Sequence, residues 1–238
     1  MTRRRWIADE VSGNRAALTG EHADHLSRVL RACEGQEFDI LANGVLHRGR
    51  IVAIGEHRVE FDLAEATPAE DAAVEVTLLL AIFKFDRMEW AIEKITELGV
   101  SRIIPIIAQR TDAHLAAAAV KRVERWRRIA LQAAEQSRRA VPPEVINPIK
   151  LREAASLSGP VKIVLSEIER QNQLKDTLAA AIDNEILLAI GPEGGWTGDE
   201  LQVFHSNSWI AASLGPTILR AETAAIAAAA IVVSEFNG

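Results

Sequence analysis

The segment Val74-Glu75-Val76-Thr77-Leu78-Leu79-Leu80-Ala81-Ile82 is apolar almost without interruption. A strand with one wet face alternates apolar and polar residues. A continuous run is the pattern of a strand covered on both faces, as in a parallel sheet between layers of helices. The residues that follow agree with that reading. Asp86 opens a helical pattern, with Glu89 three positions on as a capping box. Met88, Ile92, Ile95 and Leu98 lie along one stripe, and Gly99 is the stop. Further strands are predicted at 103–108, 161–165, 185–190 and 209–214, and helices at about 116–139, 172–182 and 220–234. Strands alternating with helices imply an α/β layer with a mostly parallel sheet.

Up to about residue 65 the period is different. Segments 37–41, 46–54 and 58–63 alternate at period two, with Asn43-Gly44 and Gly55-Glu56 as turn pairs, which predicts antiparallel hairpins in a small barrel or sheet. Residues 64–72 are small, acidic and proline-bearing, and read as a linker. The expected division is an N-terminal domain over 1–68 and a second domain over 73–238.

Composition excludes several classes. With 48% hydrophobic and 25% charged residues over 238 positions, the chain can bury a sizeable core without staples. The single cysteine, Cys33, excludes a disulfide framework and a multi-cysteine zinc site. His22 and His25 lack a third ligand, so no metal is expected. The basic start lacks an apolar export segment, and the longest apolar stretch, 224–233, is about half of what a bilayer needs. No membrane is expected, and the cytoplasm is the default compartment.

Two glycine-bearing loops follow strands near the C-terminus: Gly191-Pro192-Glu193-Gly194-Gly195-Trp196-Thr197, and Leu214-Gly215-Pro216-Thr217-Ile218-Leu219-Arg220-Ala221-Glu222-Thr223-Ala224. In open α/β sheets ligands bind beyond the carboxyl ends of strands, and glycines there let a ligand approach the main chain. Tight turns with a helix cap at Thr197 are the plainer alternative. Neither loop has the spacing of a triphosphate or dinucleotide cradle, and Glu193 suits a cationic or hydrogen-donating ligand better than a phosphate.

The formal net charge of −6 argues against bulk attraction to nucleic acid, but its distribution does not. Residues 121–139 carry seven Lys/Arg and two Glu, a local +5. A looser group is Arg3, Arg4, Arg5, Arg28 and Arg31. Two arginine clusters, one per domain, could grip an RNA backbone, or they could be solvated faces.

The paired loops, together with His25-Leu26-Ser27-Arg28-Val29-Leu30-Arg31, Lys94, Glu97-Leu98-Gly99-Val100, Glu135-Gln136-Ser137, Arg139 and Pro143, resemble the bacterial 16S ribosomal RNA uridine-N3 methyltransferases of the SPOUT superfamily. The resemblance covers nearly the whole chain in order. It departs at Thr217, where the family usually has Arg, at Arg138, often Gly, and at Val141, often basic.

The resemblance implies an N-terminal PUA-like β-barrel and a C-terminal SPOUT methyltransferase domain tied in a deep trefoil knot, which the usual rule against knots would not suggest. It also implies a homodimer that binds S-adenosyl-L-methionine and methylates N3 of uridine 1498 in 16S ribosomal RNA or the small ribosomal subunit. The cofactor residues would be Leu165, Ser166, Gly191, Pro192, Glu193, Gly194, Leu214, Gly215, Ile218, Leu219, Arg220, Thr223 and Ala224. The RNA residues would be Arg5, Arg28, Arg31, Arg87, Arg138 and Arg139. Uracil N3 is a poor nucleophile while protonated, so its proton must be removed or the charge on the flanking carbonyls stabilised. Arg220 and Arg139 are candidates for stabilisation. Glu222 is a candidate acceptor, or a cap for its own helix. Two alternatives stay open: a relative modifying another nucleotide, and a ribosome assembly factor that keeps the fold without catalysis.

Overall fold

The computed structural model describes residues 5–68, 73–137, 139 and 141–236. Contacts divide the chain into two units, residues 1–71 with 134–141, and residues 72–133 with 142–238.

In the N-terminal unit, strands β1 (Arg5–Ile7), β2 (Glu10–Ser12), β3 (Arg15–Thr19), β4 (Glu37–Ala42), β5 (Val45–Gly55) and β6 (Arg58–Pro68) form one sheet in the order β1-β4-β5-β6-β3-β2. The two edge strands are consecutive in the chain, separated only by Ala8 and Asp9. The N–H of Ala8 donates to Leu41 on β4 and that of Asp9 to Ala17 on β3. Two successive residues therefore bond to opposite sides of the sheet, and it must curl round on itself. Trp6, Leu18, Leu26, Ile40, Ile51, Val59 and Phe61 are buried as its core. Asn43 and Gly44 both take positive φ, 50° and 77°, as the expected hairpin requires. At the next turn the positive φ (54°) falls on His57 and not on Gly55. His57 is held there by its ring nitrogen 2.7 Å from Asp24 Oδ2 and by Gly20 donating to its carbonyl.

Two further differences from the sequence reading appear here. The supposed linker is strand as far as Pro68, because β6 continues past a bulge at Arg48 to pair with Val45, Leu46 and His47. After β3 the chain forms α1 (Gly20–Asp24) and then a π-helical turn, His25–Val29. Neither was foreseen.

In the C-terminal unit all strands are parallel. They are β7 (Glu75–Ala81), β8 (Arg102–Ile107), β9 (Glu144–Val145), β10 (Ile149–Lys150), β11 (Val161–Leu165), β12 (Glu185–Ile190) and β13 (Ile210–Ala212), in the order β10-β8-β7-β12-β11-β13 with β9 also on β8. Burial alternates between two cores. Val76, Leu78 and Leu80 of β7 and Ile186, Leu188 and Ile190 of β12 face one side. That side is covered by α2 (Phe85–Glu97), α3 (Ala113–Ser137), α5 (Leu174–Ala179) and α7 (Ala221–Phe236). Leu79, Ala81, Leu187 and Ala189 face the other, against α4 (Leu151–Ala155), α6 (Gly198–Ser206) and the edge-to-face rings of Trp196, Phe204 and Trp209.

The capping box expected at Asp86 is not formed: α2 begins a residue earlier, Lys84 is its cap, and no side chain caps it. Glu89 instead binds Arg125 at 2.7 Å and Arg122 at 3.3 Å across to α3. Gly99 does end the helix, at φ 107°. The basic segment 121–139 also divides: its first part belongs to the C-terminal unit, whereas residues 134–141 cluster with the N-terminal one.

In the N-terminal unit His22 stands between two carboxylates, Nδ1 3.2 Å from Asp9 Oδ1 and Nε2 3.4 Å from Glu135 Oε1. The hydrogen bond with Asp9 raises the imidazole pKa, burial opposes it, and the charges of Glu135, Asp9 and Glu21 add to the rise. Burial also works against the charge on Asp9, but hydrogen bonds from His22 and from the Thr19 N–H prevail and lower its pKa. The His22 contribution is complete below the unfolded imidazole value of about 6.5 and is lost as pH rises through the higher folded value. The Asp9 contribution is present above about 3.9 and is lost as pH falls through its lowered value. The expected result is that the melting temperature of His22→Gln falls short of wild type by more at about pH 6 than at about pH 8. A gap independent of pH would refute the ion-pair account.

Candidate active site

Strands β11, β12 and β13 end side by side, and the chain beyond each end walls a single cleft of about 300 Å³. Leu165 and Ser166 come from the first, Gly191 to Gly195 from the second, and Ser213 to Leu219 from the third. Ala221 and Ala224 close it from the first turn of α7. That loop carries the chain from the outermost strand, β13, to α7, which packs against α2 and α5 in the core facing β7 and β12.

The first loop is fixed by its neighbours. Trp196, 5% exposed, donates its indole N–H to the Leu165 carbonyl at 3.0 Å, tying the loop to the end of β11. Arg110 donates to the Gly194 carbonyl. Arg87 of α2 donates to Glu193 Oε1 at 2.6 Å. Thr197 does cap α6: its side chain accepts from the Glu200 N–H, and Glu200 returns a bond to the Thr197 N–H. The other Glu200 oxygen accepts from Gln109. Gly195 has φ 70°, which favours glycine, and a Cβ there would lie 2.1 Å from Glu167 Oε1, so the exposed Glu167 side chain would have to move aside for any other residue. Gly215, at φ 120°, would place a Cβ in open space. The second loop starts pinned, with Ser213 donating to the Asn172 carbonyl and accepting from Leu174.

Two polar atoms here are buried without a hydrogen-bond partner among the described residues: Ser166 Oγ, on the cleft wall, and Glu222 Oε2, in the first turn of α7. Native proteins rarely leave such atoms unsatisfied, and a bound ligand is one way to satisfy them.

Of the residues expected at a cofactor, Leu165, Ser166, Gly191, Pro192, Glu193, Gly194, Leu214, Gly215, Ile218, Leu219 and Ala224 line the cleft. Arg220 and Thr223 do not: helical spacing turns Ala221 and Ala224 inward and leaves both of them exposed. Arg220 contributes its carbonyl, which accepts from the Ala224 N–H. Gly195 and Thr217, within the two loops expected to hold the cofactor, also line the cleft, whereas Glu167, Ile190, Ser213 and Ala221, each adjacent to an expected residue, are not singled out by the sequence. Sequence reasoning also passed over Trp196 and Arg110, which hold the loop without a motif of their own.

The residues expected at RNA fall in both units. Arg138 lies outside the described residues, as do Arg3, Arg4 and the side chain of Arg5. Arg28, exposed, pairs with Asp24 at 3.3 Å. Arg31 is exposed with φ 52°, a conformation non-glycine residues rarely hold. Arg139 falls in the N-terminal unit and is buried enough that its pKa drops to about 10. Arg87 is engaged by two carboxylates, Glu193 on the cleft wall and, at 3.8 Å, Glu222 in the first turn of α7. No group of His, Cys, Asp and Glu suited to a metal occurs among the described residues, and no helix there is long and apolar enough to cross a membrane.

Residues 70–233 match the RNA methyltransferase domain family, which fixes the class. The ribosomal RNA small subunit methyltransferase E of Synechocystis sp. is 33% identical over 215 residues, covering 87% of this chain and 69% of that protein. The crystal structure of a ribosomal RNA small subunit methyltransferase E from Neisseria gonorrhoeae, bound to S-adenosyl methionine, has a TM-score of 0.85 and 31% identity, covering 96% of both chains. A putative methyltransferase from Legionella pneumophila, in complex with the same cofactor, has a TM-score of 0.86 and 25% identity, covering 99% of this chain and 98% of that one. The chain belongs to the family of the ribosomal RNA small subunit methyltransferases E.

Replacing Gly195 by Ala forces a left-handed φ on a residue with a Cβ and displaces the Glu167 carboxylate. We expect a loss of stability of about 1–3 kcal/mol in denaturant unfolding, whereas Gly198→Ala, which meets nothing within 4 Å, leaves stability within about 1 kcal/mol.

Proposed function

We propose that this protein methylates N3 of uridine 1498 in 16S ribosomal RNA, using S-adenosyl-L-methionine held in the cleft at the ends of β11, β12 and β13. One observation carries the reading: two glycine loops, nineteen residues apart in the chain at Gly195 and Leu214, form walls of one cleft together with the unsatisfied hydroxyl of Ser166. In this reading residues 73–238 are a SPOUT methyltransferase domain in which the passage of the chain from β13 through that loop to α7 is part of a deep trefoil knot. Residues 1–68 are a PUA-like β-barrel for RNA, supported by a six-stranded sheet whose edges meet. The protein works as a homodimer in the cytoplasm, and its partner is 16S ribosomal RNA or the small ribosomal subunit. The exposed Trp90 on α2 and Val120 on α3 are apolar surface a second subunit would cover.

The residues present fit the cofactor. Ser166 offers a hydroxyl with no competing partner, and the two loops offer main-chain amides and carbonyls to an adenine and a ribose. When bound, the cofactor supplies an electrophilic methyl group. The target nitrogen lies on the Watson–Crick edge of the base, which must be unpaired or swung out to reach it. Arg220, exposed at the N-terminus of α7, is placed to stabilise charge on the uracil carbonyls. Glu222, two residues on, is the candidate acceptor of the N3 proton; its Oε2, without a hydrogen-bond partner among the described residues, is the atom that would take it. Arg28, Arg31 and Arg139 give the N-terminal unit its phosphate-binding charge, with Val29 and Leu30 exposed between the first two.

Mapping N3-methyluridine in ribosomal RNA from a deletion strain tests the substrate. The mark at 1498 should vanish and return on complementation, and its retention would refute the assignment. Calorimetry tests the cofactor: no heat with S-adenosylmethionine at millimolar concentration would refute the enzyme reading and favour the assembly factor. Arg139→Ala should weaken RNA binding and lower the salt slope by about one phosphate contact while cofactor affinity holds. Loss of cofactor binding instead would place Arg139 in the wrong site.

A further inference from the structure

Arg87 joins two parts of the site that are far apart in the chain. Its Nη1 lies 2.6 Å from Glu193 Oε1 on the first glycine loop, and its Nε lies 3.8 Å from Glu222 Oε1 on α7. The two carboxylates differ in setting: the Glu193 side chain is 39% exposed and that of Glu222 is 7% exposed. An exposed ion pair contributes little. A buried carboxylate deprived of its cation is costly, and Arg87 is the cation within 4 Å of Glu222 among the described residues. Glu222 Oε2 has no hydrogen-bond partner there, and at 3.8 Å Arg87 meets Oε1 as an ion pair and not as a hydrogen bond, so its charge is what compensates this buried carboxylate.

We propose that Arg87 is a positioning residue of the cofactor cleft, and not an RNA contact: its guanidinium ties the Glu193 loop to the first turn of α7 and compensates the buried Glu222 carboxylate. The inference rests on the reading of the cleft as the S-adenosylmethionine site. A planar guanidinium suits the task because its donors spread in a fixed fork and can serve two acceptors at once, which an ammonium does poorly. Both parts that it joins line the cleft, through Glu193 on one side and Ala221 and Ala224 on the other. Loosening the tie therefore enlarges the range of cleft geometries the cofactor must select from, and weakens its binding. Nothing in the tie depends on phosphate.

The test compares wild type with Arg87→Met, Glu193→Gln and the double variant, using S-adenosylhomocysteine in calorimetry and a 16S RNA fragment in titrations at several salt concentrations. Arg87→Met should raise the cofactor Kd roughly tenfold or more and raise KM for S-adenosylmethionine, with KM for RNA and the salt slope unchanged. The double variant should be little worse than Arg87→Met alone, because the two side chains act through one contact. A salt slope lower by about one with cofactor affinity intact would overturn the proposal and make Arg87 a phosphate contact. Additive losses in the double variant would overturn it too. If Arg87→Met does not fold, Arg87→Lys keeps the charge but loses the fork: weaker cofactor binding with an unchanged RNA salt slope supports the proposal, and wild-type cofactor affinity overturns it. Failure of the cleft reading is told apart because wild type itself would then not bind S-adenosylhomocysteine.

Discussion

The pairing of β12 against β7, six residues long and buried on both faces, is the constraint the rest of the C-terminal unit depends on. A parallel pair cannot be joined by a tight turn, so each strand must be followed by a crossover, and the crossovers become the covering helices. All the strands then end in the same direction. Main-chain groups that no longer have a ladder partner are exposed together at that end, which is where the glycine loops lie. The cleft follows from how the sheet is built, and the chemistry follows from which residues stand in its walls.

Within those walls, rigidity and exposure are divided between different residues. Trp196 locks one loop to the end of β11 through a buried hydrogen bond, and Arg110 and Arg87 hold the same loop from outside the core. Ser166 Oγ, left unsatisfied on the cleft wall, stands beside this fixed frame. A preorganised site of this kind loses little freedom when a ligand arrives. Glycine suits position 195 because the loop there turns through φ 70°, which a side chain makes strained.

Charge is arranged on the same principle. The chain carries a net −6, yet its basic residues are not uniformly available. Arg122 and Arg125 share Glu89, and Arg127 reaches Glu124 and the Val145 carbonyl, so much of the basic face of α3 serves the fold. The end of that segment belongs to the N-terminal unit, where Arg139 is partly buried and His22 couples Asp9 to Glu135. Counting charges along the helix overstates how many of them stand without a carboxylate partner.

Much of this was legible in the sequence. The unbroken apolar run at 74–82 required a strand covered on both faces, and the two glycine loops marked the ends of strands that a ligand could reach. The Asn43-Gly44 turn and the cap at Thr197 were also set by local chemistry, because a positive φ and an orphan helix N–H have few solutions. The capping box at Asp86 was not realised, because Glu89 found stronger partners on another helix, and a linker was read where β6 continues, because its partner strand lies some twenty residues earlier. Arg87 shows the limit most clearly. From the sequence it was one more arginine for RNA, since a cation's partner is invisible until the chain brings carboxylates from residues 193 and 222 to it. Periodicity and turn chemistry act between near neighbours and are written in the sequence; which charges meet across more than a hundred residues is decided only when the sheet is assembled.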